Sequence, residues 1–233
     1  MPRYTVAYSD FISRIKEVEL LLRAAQRAAQ NSPTPENISL VNALCRSGVV
    51  MLSSHVEGYV EQLGELAVDQ IISRRVPKTK LSASFRYFLS RDLIYEIRQS
   101  TDPSEIANKL LNLWQRDDHI WNSSPEFSQL ILASRLVADF DNPKHSRITK
   151  FFARFGYCEL QQHLAQRLAA NFDICRNMID QMVDQRNKIA HGNTVITGTP
   201  TDLAEMIRLV KCYCREMDQA VGDWFRAIGC PIR

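Results

Sequence analysis

From Leu203 onward apolar residues return at Ile207, Val210, Cys214, Met217, Val221 and Trp224, alternating steps of four and three without a break. At 3.6 residues per turn, that spacing lays them along one stripe of a helix, and such a stripe needs other helices against it. The N-terminal part repeats the pattern. Phe11, Ile15, Val18, Leu22, Ala25 and Ala29 predict a helix over about 5–30, and Val41, Leu44, Leu52, Val56, Tyr59, Leu63 and Leu66 predict a very long one over about 36–74. Thr34 followed by Pro35 suits the start of that second helix, because proline at the first helical position gives up an N–H that would have no partner anyway. Eight glycines and nine prolines in 233 residues are too little punctuation for many short strands, and a 45% hydrophobic content suffices for a real core. The expectation is an all-α fold.

After Pro77 the apolar periods shorten. Helices are expected at about 84–99, 103–115, 125–138 and 145–155, with breaks that include Asp102-Pro103 and Asp141-Asn142-Pro143. Long helices return at roughly 158–170 and 172–191, with or without a break between them. Gly192 to Pro200 reads as a loop, and Thr201 with Asp202 and Glu205 as the opening of the last helix. The predicted organisation is one domain over 1–233, a long-helix bundle from about 1–76 and 158–233 carrying a smaller helical insertion at about 77–157.

The end of the helix over 172–191 concentrates chemistry in Arg186-Asn187-Lys188-Ile189-Ala190-His191-Gly192. Its apolar stripe runs Cys175, Met178, Met182, and the next helical step lands on Arg186 before Ile189. An arginine on a face due for burial wants an anion or a partner chain. Asp180, Asp184, Asn187 and His191 form a polar ridge beside it. Together the arginine, amide and imidazole could bind a phosphodiester and move a proton. A plain helix ending also accounts for part of the string, since glycine is common just past a helix and basic residues suit its last turn.

Arg-Asn-x-Ile-Ala-His-Gly near the end of a helical bundle resembles the signature of the HEPN superfamily. Ser53-Ser54-His55-Val56-Glu57-Gly58-Tyr59-Val60 is similar to the His-x-Glu-Gly-aromatic stretch of its Abi-like and RiboL-PSP-type branches. The resemblance covers the chain to about residue 74 and from about 171, not the middle. It implies an all-α protein of a group in which many members are ribonucleases of bacterial toxin and defence systems that work without a metal. It also implies a homodimer whose two motifs face each other, with Arg186, Asn187 and His191 as catalytic residues and His55, Glu57 and Asp184 in support. An antitoxin or other defence-system protein is the further partner so implied. The alternative is a HEPN-like module without catalysis that binds RNA, nucleotide or a partner protein through Arg186.

The residues themselves suit RNA transesterification. His191 would exchange a proton with a ribose 2′-hydroxyl or a departing 5′-oxygen, and Arg186 would stabilise charge on the phosphorus oxygens. One imidazole does not readily make both transfers, which a two-fold pair of sites would remedy.

Two acid-free basic stretches are candidate RNA surfaces: Arg74, Arg75, Lys78, Lys80, Arg86 and Arg91, then Lys144, Arg147, Lys150 and Arg154. Phe151, Phe152, Phe155 and Tyr157 interleave with the second, either to stack unpaired bases or to build a local core. The net charge of +3 decides nothing about nucleic acid.

No metal or cofactor site is expected. Glu57, Glu61 and Glu65 recur at four-residue steps, as a solvated face does, and His119, His145 and His163 lack ligand-like neighbours. The six cysteines, with no Cys-x-x-Cys pair, read as reduced thiols, and Cys212 and Cys214 point about 200° apart on one helix. With no apolar run of membrane-spanning length and no signal-peptide pattern, a cytoplasmic protein is expected.

Overall fold

Three threonines begin the three longest helices. In the computed structural model, which describes residues 4–192 and 198–233, α1 is Val6–Ala29 and α2 is Pro35–Ser73; each starts where a threonine hydroxyl, of Thr5 or Thr34, accepts an N–H of the first turn. The last helix, α9 (Pro200–Ala227), begins on a reciprocal box: the Asp202 N–H donates to Thr199 Oγ1 at 3.1 Å, and the Thr199 N–H donates to the Asp202 carboxylate at 3.2 Å. The cap is therefore Thr199, two residues before the expected Thr201, with Pro200 at the first helical position. Of the loop expected between Gly192 and Pro200, residues 193–197 lie outside those described.

Between α2 and α9 run α3 (Ala83–Gln99), α4 (Pro103–Trp121), the short α5 (Ser134–Val137), α6 (His145–Ala153), α7 (Leu160–Leu168) and α8 (Phe172–Ala190). Among the described residues there is no strand, and the fold is all-α. Two expectations for the middle need correction. The helix placed at 125–138 shrinks to α5, because Pro125 lacks an N–H and the Asn122 side chain takes up the N–H of Ser124 at 3.1 Å, so local bonds replace a helical ladder. The helix placed at 103–115 instead continues to Trp121. Its polar stretch does not end it, because Asp117 turns inward and meets Arg135 at 3.0 Å and Arg116 at 3.2 Å. The question of a continuous helix over 158–191 is settled by Ala169, whose φ of +47° breaks the chain between α7 and α8.

The core is a single connected cluster. Phe11, Leu52, Val56, Tyr59, Leu63, Ile179, Met182, Val210 and Val221 fill it from α1, α2, α8 and α9, and Phe151, Phe152, Phe155 and Tyr157 enter the same cluster, all completely buried. The aromatic run is core, not a stacking surface for bases. Phe151 needs Gly64 of α2 beneath it: a Cβ there would stand 2.4 Å from the ring's Cζ. α6 is thus bound into the bundle's interior, while α3 and α4 pack mainly against each other. Deep inside, Asp218 of α9 accepts the Thr5 N–H at 3.0 Å, the Thr5 hydroxyl at 2.5 Å and the Tyr59 hydroxyl at 3.1 Å, fixing the N-terminus to the last helix.

Candidate functional site at the end of α8

The buried face of α8 is Cys175, Ile179, Met182 and Val183, and the next step is Arg186. Here the stripe opens: Arg186 is 28% exposed and reaches across to α2, where its Nη2 lies 3.5 Å from Glu57 Oε2. Its Nη1 donates to Asn187 Oδ1 at 3.0 Å and lies 3.5 Å from Asn142 Oδ1. Among the described residues the Nε–H meets no acceptor. The arginine is neither wholly buried nor wholly solvated, so the burial expected from its place on the apolar stripe is only partial.

Glu57 is itself half-buried. Burial pushes its carboxyl above the ordinary range, Arg186 and the Asn142 N–H pull it down, and nearby Asp141 pushes it up again. His191 is the C-cap of α8, exposed, and its ring makes no hydrogen bond among the described residues. Gly192 follows with φ +78°, the left-handed ending that glycine adopts freely. Arg186 and His191 stand five residues apart, about 140° around the axis and about 7.5 Å along it. Asn187, one turn before His191, bridges the two faces.

The acidic part of the ridge beside Arg186 is taken up by residues 144 and 145. Asp180 accepts the His145 N–H at 2.8 Å, and Asp184 pairs with Lys144 Nζ at 2.5 Å. Of the expected supporting residues, Glu57 and Asp184 are thus at the site's edge. His55 is not: two residues from Glu57 on one helix is about 200° around it, and His55 Nε2 faces Glu17 of α1 at 3.6 Å. Burial pushes its imidazole below the ordinary value, against the pull of Glu17.

The basic residues divide by what holds them. Lys78 is buried, donating to Asn122 Oδ1 at 2.8 Å beside the Phe127 ring, and Arg154 is buried in a two-pronged pair with Asp139 at 2.6 and 3.0 Å over Phe88. Both belong to the interior. Arg74, Arg75, Lys80, Arg147 and Lys150 are exposed, and Lys144 is half-exposed against Asp184. Arg147 pairs with Asp141 at 3.4 Å, and Lys80 donates to the Ile228 carbonyl at 3.1 Å. The remaining histidines are structural: His145 bonds Tyr213 at 2.8 Å and His163 bonds Tyr157 at 2.7 Å, while His119 is buried. Among the described residues no three His, Cys, Asp or Glu side chains converge as a metal site would need.

Asn142 and Asp141 are the participants that sequence reasoning missed. Asp141-Asn142-Pro143 was legible as a break, and asparagine's tolerance of positive φ marked a possible held turn, here φ +48°. What that turn would touch, 44 residues along the chain, had no local signal.

An open groove of about 550 Å³ flanks the motif, lined by Ala43, Arg46, Ser47, Val50 and Met51 of α2 with Ile189 and Gly192. Among the described residues no helix is long and apolar enough to cross a membrane. Comparison with known sequences and structures gives no match to a curated protein or a solved structure. The model of one family, RiboL-PSP-HEPN, matches residues 9–223, running through the middle that the motif resemblance left uncovered. On a match of that extent, the chain belongs to the RiboL-PSP-HEPN family.

Proposed function

We propose that this protein is an endoribonuclease of a bacterial toxin or defence system that cleaves RNA by 2′-hydroxyl transesterification without a metal, in the cytoplasm, at a site composed by two copies of the chain. The observation that carries the reading is the contrast within one motif. Arg186 is held at a set place by Glu57 and Asn187, whereas His191 is exposed and without a hydrogen bond among the described residues. An oriented cation suits binding of a phosphate, and an imidazole with no internal partner suits proton exchange with a ligand.

The reaction needs two proton movements. One His191 takes the proton of the 2′-hydroxyl as O2′ bonds to phosphorus; the P–O5′ bond breaks, and a second His191 gives its proton to O5′. Arg186 stabilises the charge on the non-bridging oxygens, and Asn187 and Glu57 orient it. Since Arg186 and His191 of one chain diverge by about 140°, a two-fold pairing of α8 ends brings one copy's histidine toward the other's arginine. The apolar-walled groove beside Gly192 favours a second copy there. An antitoxin or defence-system protein would cover the same face.

The Arg186–Glu57 pair also favours a second reading, a module that binds RNA, nucleotide or a partner protein without cleavage, because part of the arginine's charge is already matched. Incubation with labelled RNA in chelator separates the two. The nuclease cleaves RNA, spares DNA and sediments as a dimer, whereas the module leaves RNA intact and loses affinity chiefly on Arg186→Ala.

A further inference from the structure

Segment 141–145 runs along α8 like a bracket. His145 donates its N–H to Asp180, Lys144 pairs with Asp184 one turn later, and Asn142 faces Arg186 at the next position, so the two strands of contact run in opposite chain directions. Both ends of the bracket are fixed in the core: Phe140 packs on Phe151 at 5.0 Å between ring centres, and the His145 ring bonds Tyr213. Asn142 sits where the bracket passes between α2 and α8. Its side-chain oxygen lies 3.5 Å from Arg186 Nη1, and its backbone N–H is near enough to Glu57 to help pull that carboxyl down.

We infer that Asn142 is a positioning residue: its amide oxygen, facing Arg186 Nη1 opposite Glu57, holds the guanidinium in place for an incoming phosphate. This rests on the nuclease reading given above. Three points support it. The left-handed φ of +48° is one that asparagine tolerates better than most side chains. In that conformation the side-chain oxygen turns to Arg186 across the gap between α2 and α8. The contacts to Arg186 from Asn142 and Glu57 are both 3.5 Å, at the outer edge of hydrogen-bond length, so they aim the guanidinium and leave its donors available.

The variant that isolates the side chain is Asn142→Gly. Glycine accepts the positive φ and keeps the backbone N–H, so only the amide facing Arg186 is lost. Small misplacement of a charge-stabilising group is felt mostly in the rate. At a temperature well below the melting point of both proteins, Asn142→Gly is expected to lower kcat on labelled RNA about tenfold with KM within about twofold. Independently of cleavage, the Nε–H resonance of Arg186, assigned by its loss in Arg186→Lys, is expected to shift in Asn142→Gly. If the wild type cleaves, an unchanged kcat overturns the inference, as does a loss confined to KM. If the wild type does not cleave, the nuclease reading has failed and the resonance decides the placement alone: a shift supports it, and a resonance identical to wild type overturns it.

Discussion

Replacing Glu57 by glutamine should tighten RNA binding. Glu57→Gln keeps an oxygen for Arg186 Nη2 and removes a negative charge that stands 3.5 Å from the guanidinium. A phosphate held by the far side of Arg186 would lie about 7 Å from Glu57, where the repulsion removed is about 0.6 kcal/mol in water-like surroundings and about 2.4 kcal/mol at an effective dielectric of about 20. At about a quarter exposed, the pair sits between these limits, so affinity should rise about tenfold within bounds of about threefold to sixtyfold.

Stability should follow pH in a defined way. Burial holds the Glu57 carboxyl above its ordinary value, so its contribution to folding is complete below the unfolded-state value and is lost as pH rises through the raised one. Glutamine does not titrate there. Relative to wild type, the variant should therefore gain stability as pH rises from the ordinary carboxyl value through the raised one, in denaturant titrations run in parallel with fluorescence anisotropy on labelled RNA. RNA affinity equal to or below wild type, with the fold intact, would refute the placement of phosphate on Arg186.

Asp218→Ala should cost about 3 kcal/mol, since it strips acceptors from the buried Thr5 N–H and hydroxyl while Tyr59 keeps the Cys214 carbonyl; melting should fall by about 6–12 °C in calorimetry. Lys150→Ala and Arg147→Ala, at exposed positions, should each flatten the dependence of log affinity on log salt by up to about 0.7 for single-stranded RNA. Arg154→Ala should instead lower stability by about 2–3 kcal/mol in urea titrations and leave the salt slope of the folded fraction unchanged, because its buried guanidinium is already taken up by Asp139 and the Leu136 carbonyl.

The long helices were legible because their determinants are local. Four-and-three spacing and a threonine before proline set α1, α2 and the body of α9 to within a residue or two, and the α9 cap was misplaced only because two threonines flank Pro200. The middle was less legible. Asp117 would mark a surface in isolation, and only Arg135, 18 residues on, makes it an inward residue. Phe151 was readable as core or as a base-stacking group until Gly64 of α2 was seen beneath it. In the candidate site, the place of Arg186 in line with the apolar stripe followed from periodicity, though not its partial exposure, and Glu57 followed from the resemblance at 53–60. The Asn142 bracket followed from neither, because its contacts depend on tertiary packing across α2 and α8. Basic residues misled for the same reason: sequence gives charge, while Lys78 and Arg154 spend theirs on internal partners.

The most direct measurement is the chemistry of the RNA ends. End-labelled single-stranded and structured RNAs, incubated with purified protein in chelator, should yield fragments ending in 2′,3′-cyclic phosphate, and His191→Ala should abolish them while retaining wild-type RNA affinity and melting temperature. Intact RNA in every wild-type reaction would contradict the account, and so would cleavage by His191→Ala at the wild-type rate.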